Sequence, residues 1–153
     1  LIVLIELDSR VDLFEWSLQK ILFNHLDGQF FRLANTKARY SHVNQLKQEI
    51  ELLLSVMAYA GQENKDSIDE AFNAATKILE ISGLRLVVKD EISLSELDRS
   101  LGKLEKLKFL AKQQLLRACA ASVLHDQKVS SVEVELLRAC SDVLGCPMPP
   151  VIL

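Results

Sequence analysis

The sequence contains few residues that interrupt helices. Among its 153 residues are 5 Gly and 3 Pro, and the prolines all lie near the end, at positions 147, 149 and 150. Because Gly and Pro are the strongest local breakers of regular structure, the first 146 residues are expected to be rich in helix. The hydrophobic fraction of 49% is enough to form a core. We therefore predict one all-α domain covering residues 1–153.

Motifs of zinc, redox and nucleophilic chemistry are also missing. The three cysteines are an odd number and form no C-x-x-C pattern, and Cys119 and Cys140 fall in apolar helical runs, which indicates buried, reduced thiols. His25, His42 and His125 are followed by Leu, Val and Asp, so the zinc motif H-E-x-x-H does not occur. No Ser/His/Asp, Cys/His or phosphate-loop pattern is recognisable. The sequence therefore predicts no catalytic residues and no cofactor for this chain.

Long apolar runs and a strong net charge are absent too. The longest uncharged apolar stretch, residues 52–62, is too short to span a membrane, and the five apolar residues at the start are too few for a signal peptide. The net charge of −3 gives no overall field that would attract nucleic acid. Because the chain begins without Met and already in helical rhythm, we expect a soluble fragment of a longer protein.

Capping signals and apolar periodicity divide the chain into about seven helices. Ser-x-x-Glu capping boxes at Ser67, Ser93 and Ser130 predict three helix starts. The segment 84–89 has strand character but no partner strand, so we predict an extended connector. The stretch 115–124 contains small residues and one charge, which predicts a buried central helix. The predicted helices cover residues 1–7, 12–26, 42–60, 67–82, 93–104, 108–124 and 130–144.

The two ends of the chain carry a repeated pattern with a constant offset of 126 − 8 = 118. Each copy consists of an acidic turn followed by a capped helix. We therefore predict two helix-turn-helix units that lie side by side and make the bundle pseudo-repeated. The matching pairs are Asp8 with Asp126, Val11 with Val129, Glu15 with Glu133, and Leu18 with Leu136.

Acidic residues of these turns are the candidate metal ligands. Asp8, Asp12 and Glu15 in one copy, and Asp126 and Glu133 in the other, offer oxygens to a divalent cation. In the alternative interpretation each Asp closes its turn and each Glu completes a capping box. We favour capping, because a calcium ion needs roughly six to eight oxygens and each turn supplies fewer carboxylates. No calcium or magnesium binding tighter than about 0.1 mM is expected.

Residues 30–40 combine three aromatic residues with the bases Arg32, Lys37 and Arg39, and positions 28–48 contain no acidic residue. Such a segment can contact a membrane surface or RNA. The alternative is a loop whose aromatic side chains pack on the core and whose bases are solvated. Because the basic run is short and the total charge is negative, the loop is favoured.

The turns resemble those of the TerB-like helical domain, named for bacterial tellurite-resistance proteins. Its pattern is Asp-Gly-x-Ile/Val, followed four residues later by a Glu that opens a Leu-rich helix, and both copies here lack the Gly. A narrower resemblance is to the C-terminal cytosolic region of bacterial HtpX/CAAX-protease-like membrane zinc metallopeptidases. The stretches that carry it are residues 11–22, Glu135-Leu-Leu-Arg-Ala139 and Leu144-Gly-Cys-Pro-Met-Pro-Pro150.

This narrower resemblance implies a parent protein whose zinc and catalytic half lie upstream. The chain itself would be a non-catalytic accessory domain in the cytosol, attached to an inner-membrane protein. Its partners would be the upstream catalytic and membrane domains or other proteins. The TerB-like resemblance alone implies the alternative, a divalent-metal binding or stress-response module.

Overall fold

The computed structural model describes residues 13–22, 40–61, 64–81, 83–125 and 129–147, and in these ranges the regular structure is helical, without strands. The predicted all-α class is confirmed. Six helices are described, whereas the predicted helix 1–7 lies outside the described residues. They are α1 (residues 13–22), α2 (Lys47–Gly61, preceded by the 3-10 turn Val43–Leu46), α3 (Lys65–Leu79), α4 (Leu94–Leu104), α5 (Phe109–Leu124) and α6 (Ser131–Leu144).

Helix α2 lies at the centre of the bundle because the second half of its sequence is apolar on nearly every side. All residues from 52 to 58 are buried, and Leu53, Leu54 and Met57 are completely inaccessible. The helices α3, α4, α5 and α6 each pack against α2. A helix that is apolar all round can satisfy every face only in such a position. Except for Val134, the buried apolar residues of the described ranges form one core cluster.

Helix α5 shares this central position and packs against α2, α3 and α6. The prediction of burial from 115 to 124 holds for Leu115, Ala118 and Val123, which are fully buried. It is wrong for Leu124, which is 38% exposed, for Arg117, which is exposed, and for Ala121, which is half-buried. The three neighbours of α5 leave one strip of its surface facing solvent, and these residues lie on it.

The start and end of α3 differ from the prediction. Asn64 is the N-cap, and its side-chain oxygen accepts a hydrogen bond from the backbone N–H of Ser67 at 2.8 Å. Ser67 therefore lies inside the first turn and does not cap the helix. The helix ends at Leu79, before position 82, because Glu80 adopts the left-handed conformation with φ 54°. The other predicted starts, Ser93 and Ser130, are confirmed as N-caps.

The segment 84–88 between α3 and α4 contains no helix or strand, as predicted for a connector, whereas Lys89–Glu91 forms a 3-10 turn. Helix α2 binds the backbone of this segment in place of a partner strand. Val87 N–H donates to the Ser55 hydroxyl oxygen at 2.9 Å, and the Tyr59 hydroxyl donates to Val87 C=O at 2.7 Å. Ser55 and Tyr59 are four positions apart and therefore share one helix face. Val87 therefore satisfies both of its backbone polar groups without joining a sheet.

Helix α1 is attached to α4 by a polar contact. The indole N–H of Trp16 donates to Asp98 Oδ1 at 3.1 Å, and Lys20 Nζ lies 2.6 Å from the same oxygen. Leu13 and Trp16 are buried, whereas Leu18 and Leu22 are 43% and 55% exposed. Helix α1 therefore places Leu13 and Trp16 in the core and leaves Leu18 and Leu22 on its outer face.

The proposed internal repeat stays a prediction. Residues 13–22 and Ser131–Leu144 are both helical, at positions that the offset of 118 brings into register. The turns that would define the repeat, around Asp8 and Asp126, lie outside the described residues. The superposition of the two turns therefore stays a prediction.

Candidate functional site

The candidate site from the sequence lies where α5 is followed by α6, and we call His125 and Val129–Glu133 the α5–α6 corner. Helix α5 ends at Leu124, and Ser130 adopts extended backbone angles of φ −95° and ψ 160° before α6 begins at Ser131. Residues 126–128, and with them the candidate ligand Asp126, lie outside the described residues. The described part of the corner consists of His125 after α5 and of Ser130 and Glu133 at the start of α6.

Glu133 completes a capping box, as the sequence predicted. Its side chain is buried, with 1% of the residue exposed. Glu133 Oε1 accepts hydrogen bonds from the Ser130 backbone N–H at 3.0 Å and from the Ser130 hydroxyl at 3.1 Å. The Ser130 hydroxyl oxygen in turn accepts from the Glu133 N–H at 3.2 Å. The local hydrogen bonds thus commit this candidate ligand to starting α6.

The same carboxylate packs against the last residue of α2, Gly61. A Cβ atom built on Gly61 would lie 2.8 Å from Glu133 Cγ and closer still to the carboxylate. Real Cβ contacts essentially never reach this distance, so a side chain at position 61 would displace Glu133. The absence of a side chain at Gly61 is what allows the start of α6 to approach the end of α2. No pattern in the sequence predicts this contact.

His125 joins the end of α5 to α3. Its Nδ1 lies 3.3 Å from the backbone oxygen of Ser122, which can only accept, so Nδ1 carries the proton. Its Nε2 lies 3.9 Å from Glu70 Oε2, beyond hydrogen-bond distance but within range of an ion pair when the ring is protonated. The His125 side chain is 9% exposed and that of Glu70 is 71% exposed. The pair is therefore a solvent-edge electrostatic contact between α3 and α5.

Of the remaining sequence candidates, Glu15 alone lies in the described part of the chain. Glu15 is exposed on α1. Asp8 and Asp12 lie outside the described residues. Within the described ranges, no three His, Cys, Asp or Glu side chains converge as a metal site would require. The predicted membrane or RNA contact through Arg32, Lys37 and Arg39 also falls outside the described residues.

Ser130→Ala tests whether the capping box determines the start of α6. We expect the variant to lower the free energy of unfolding by about 0.5–2 kcal/mol, because the cap acceptor is lost and Glu133 loses a donor. Urea titration followed by circular dichroism measures the change. The control is Ser95→Ala, an exposed serine in the first turn of α4, with an expected change below about 0.5 kcal/mol. Equal losses in the two variants would contradict the role of Ser130.

Two cysteines are enclosed between α5 and α6. Cys119 and Cys140 are both free and fully buried. Burial raises the pKa of both thiols, that of Cys140 to about 12, and the proximity of Cys140 raises the pKa of Cys119 further. The interior therefore holds both sulfurs as neutral thiols, as the sequence predicted. Neither is activated as a nucleophile.

These thiols give the stability of the chain a pH dependence. A thiol whose pKa is higher when folded contributes stability that is fully present below its unfolded pKa and is lost as pH rises towards its folded pKa. For Cys140 this window runs from 9.0 to about 12. We expect the difference in unfolding free energy between the wild type and Cys140→Ala to narrow as pH rises from about 8 to about 11. Guanidinium titrations at several pH values measure it, and a constant difference would contradict the prediction.

Comparisons of the chain with profiles of known protein families, with curated proteins and with solved structures give no match. Among the helices that the structure describes, none has the combined length and apolarity of a membrane span. Function is therefore inferred from the arrangement of the residues and from the resemblance of the motifs.

Proposed function

We propose that this chain is a non-catalytic accessory domain of a bacterial membrane zinc metallopeptidase, and that it acts by docking on the catalytic part of the same protein or on other proteins. The resemblance of residues 11–22, 135–139 and 144–150 supports the family. In such a parent, zinc would be bound upstream by an H-E-x-x-H helix. In this chain, the polar groups of the α5–α6 corner support the fold: Glu133 Oε1 closes a helix cap and His125 Nδ1 binds a carbonyl.

The observation that carries the docking function is the outer face of α1. Leu18 and Leu22 lie one helical turn apart on the same face, and 43% and 55% of their surfaces are exposed. The opposite face is fixed by buried Leu13 and by the hydrogen bond from Trp16 to Asp98. A rigid helix that presents two leucines in an i, i+4 pair suits an apolar groove or a partner helix. Because these contacts hold the buried face of α1, Leu18 and Leu22 are already in position before a partner binds.

A divalent-metal module of the TerB-like kind is the competing proposal. It would need the acidic residues of both turns as ligands. Glu133, the one member of that set described at the α5–α6 corner, uses Oε1 in the capping box. The docking function is favoured because it uses the leucines that the fold leaves exposed.

Two measurements test the accessory assignment. The reading frame upstream of Leu1 is expected to encode hydrophobic spans followed by H-E-x-x-H. The 153-residue chain incubated with zinc and casein is expected to leave casein intact. Zinc-dependent cleavage by the pure chain would overturn the non-catalytic assignment, and an upstream frame without a peptidase motif would overturn the choice of parent.

The docking face is tested in the full-length protein. We expect Leu18→Ser combined with Leu22→Ser to lower the rate of casein cleavage at unchanged zinc content, because the domain loses its contact with the rest of the protein. The matched control is Ile78→Ser combined with Leu94→Ser, which alters two exposed apolar residues on α3 and α4. Equal rates for both double variants would contradict docking through α1.

A further inference from the structure

A second exposed apolar surface lies at the start of α5. Phe109 is 53% exposed and Leu110 is 78% exposed. Among the exposed large apolar residues of the described ranges, only these two are consecutive in the chain. We call Lys106, Lys108, Phe109 and Leu110 the α5 entry surface. A large apolar pair at this level of exposure, beside charged residues, is typical of a contact site.

The surroundings of this pair are basic. Residues 103–112 contain four Lys and one Glu, a formal charge of 4 − 1 = +3 in a chain whose total is −3. Lys103 Nζ lies 3.4 Å from Glu49 Oε2, which offsets one of these charges. Lys108 is exposed and Lys106 is half-buried. The segment is therefore locally positive although the whole chain is acidic.

The backbone of Tyr40 holds the residues that precede Phe109. Tyr40 N–H donates to Lys106 C=O at 3.1 Å, and Lys108 N–H donates to Tyr40 C=O at 2.8 Å. Tyr40 is itself half-buried and packs against the core. The two lysines of the α5 entry surface are therefore fixed at the backbone just before Phe109 and Leu110.

We propose that the α5 entry surface binds the surface of an anionic phospholipid bilayer. Phe109 and Leu110 enter the boundary between headgroups and acyl chains, and the lysines contact headgroup phosphates. The combination of exposed apolar side chains with adjacent positive charge fits this partner. A nucleic-acid backbone would use the charges but would leave the apolar pair in water. The proposal goes beyond the docking function, because it concerns a different surface and a different partner.

Vesicle flotation with the 153-residue chain tests the proposal. The probes are vesicles of phosphatidylcholine alone and of phosphatidylcholine mixed with phosphatidylglycerol. We expect binding to the mixed vesicles that weakens with added salt, and little binding to phosphatidylcholine alone. Phe109→Ser combined with Leu110→Ser should lower the partition coefficient at least about tenfold. Lys106→Gln combined with Lys108→Gln should lower the partition coefficient about 25-fold, because each charge near the bilayer surface contributes a factor of about five.

The control variant is Ile78→Ser combined with Val88→Ser, which alters two exposed apolar residues elsewhere and should leave vesicle binding unchanged. If the Phe109 and Leu110 double variant melts at a lower temperature, Leu110→Ser alone provides the measurement, since Leu110 is the more exposed of the two. The proposal would be overturned if the substitutions at Phe109 and Leu110, or those at Lys106 and Lys108, left vesicle binding unchanged. Equal binding to both kinds of vesicle would also overturn it. Sedimentation velocity without vesicles measures whether the wild type self-associates. Self-association that the substitutions at Phe109 and Leu110 abolish would also overturn the proposal, because a second copy would then occupy the surface.

Discussion

Ala118→Asp is expected to lower the free energy of unfolding by at least about 3–5 kcal/mol, the cost of a buried charge without a partner. Ala118 is completely inaccessible on α5, and α5 packs against α2, α3 and α6. The surrounding interior is apolar, so a carboxylate at this position would be neither hydrated nor paired. Because a domain of this size is stable by only about 5–15 kcal/mol, we expect a large loss of helical circular dichroism at room temperature.

The matched control for this substitution lies on the same helix. Ala121 is half-buried. A carboxylate at position 121 can therefore reach water, and the expected loss for Ala121→Asp is smaller, about 0.5–3 kcal/mol. Urea and thermal unfolding of both variants measure the difference. Wild-type melting of Ala118→Asp would show that α5 does not have the central position described here.

Gly61→Ala is expected to destabilise the chain by about 1–3 kcal/mol, the usual cost of overpacking. In an open helical position the same substitution stabilises by about 0.4–1 kcal/mol. Gly102, within α4, is such a position, because a Cβ built there meets nothing within 4 Å. At Gly61 the new Cβ would occupy the space of the Glu133 side chain, and moving Glu133 would break its hydrogen bonds with Ser130. The two variants should therefore change stability in opposite directions.

A double-mutant cycle identifies the cause of the Gly61 effect. Glu133→Ala removes the atoms that the new Cβ would meet. In that background Gly61→Ala should cost little, so that the two substitutions are strongly non-additive. Additive losses would show that the effect of Gly61→Ala has another origin, such as its place at the end of α2.

Contacts within about four residues were predicted from the sequence. The shortage of Gly and Pro indicated an all-α chain, and serines followed three residues later by Glu predicted the starts of α4 and α6 at Ser93 and Ser130. The role of Glu133 in a helix cap was also predictable from this local pattern. These features are predictable because cap donor and acceptor lie within one turn of the same segment, so the local backbone brings them together.

Local patterns were ambiguous where two solutions were of similar energy. Asn64 and Ser67 are both good caps, and their intrinsic preferences do not rank them. The apolar residues of α1 cover more than one face, so periodicity could not determine that Leu18 and Leu22 lie outside. That choice depends on the docking of Trp16 on Asp98, which lies 82 positions away. The pattern of one segment does not predict a partner so far away in the chain.

Contacts between distant segments were decided by the tertiary structure. Three contacts join segments from different parts of the chain. They are the packing of Gly61 against Glu133, the approach of His125 to Glu70, and the hydrogen bonds of Tyr40 to the backbone of Lys106 and Lys108. The sequence determined which residues are helical, apolar or basic, because those properties belong to single residues and short windows. It did not determine which of them meet, since that depends on how the helices pack together around α2, and the same packing leaves Phe109 and Leu110 exposed beside their lysines.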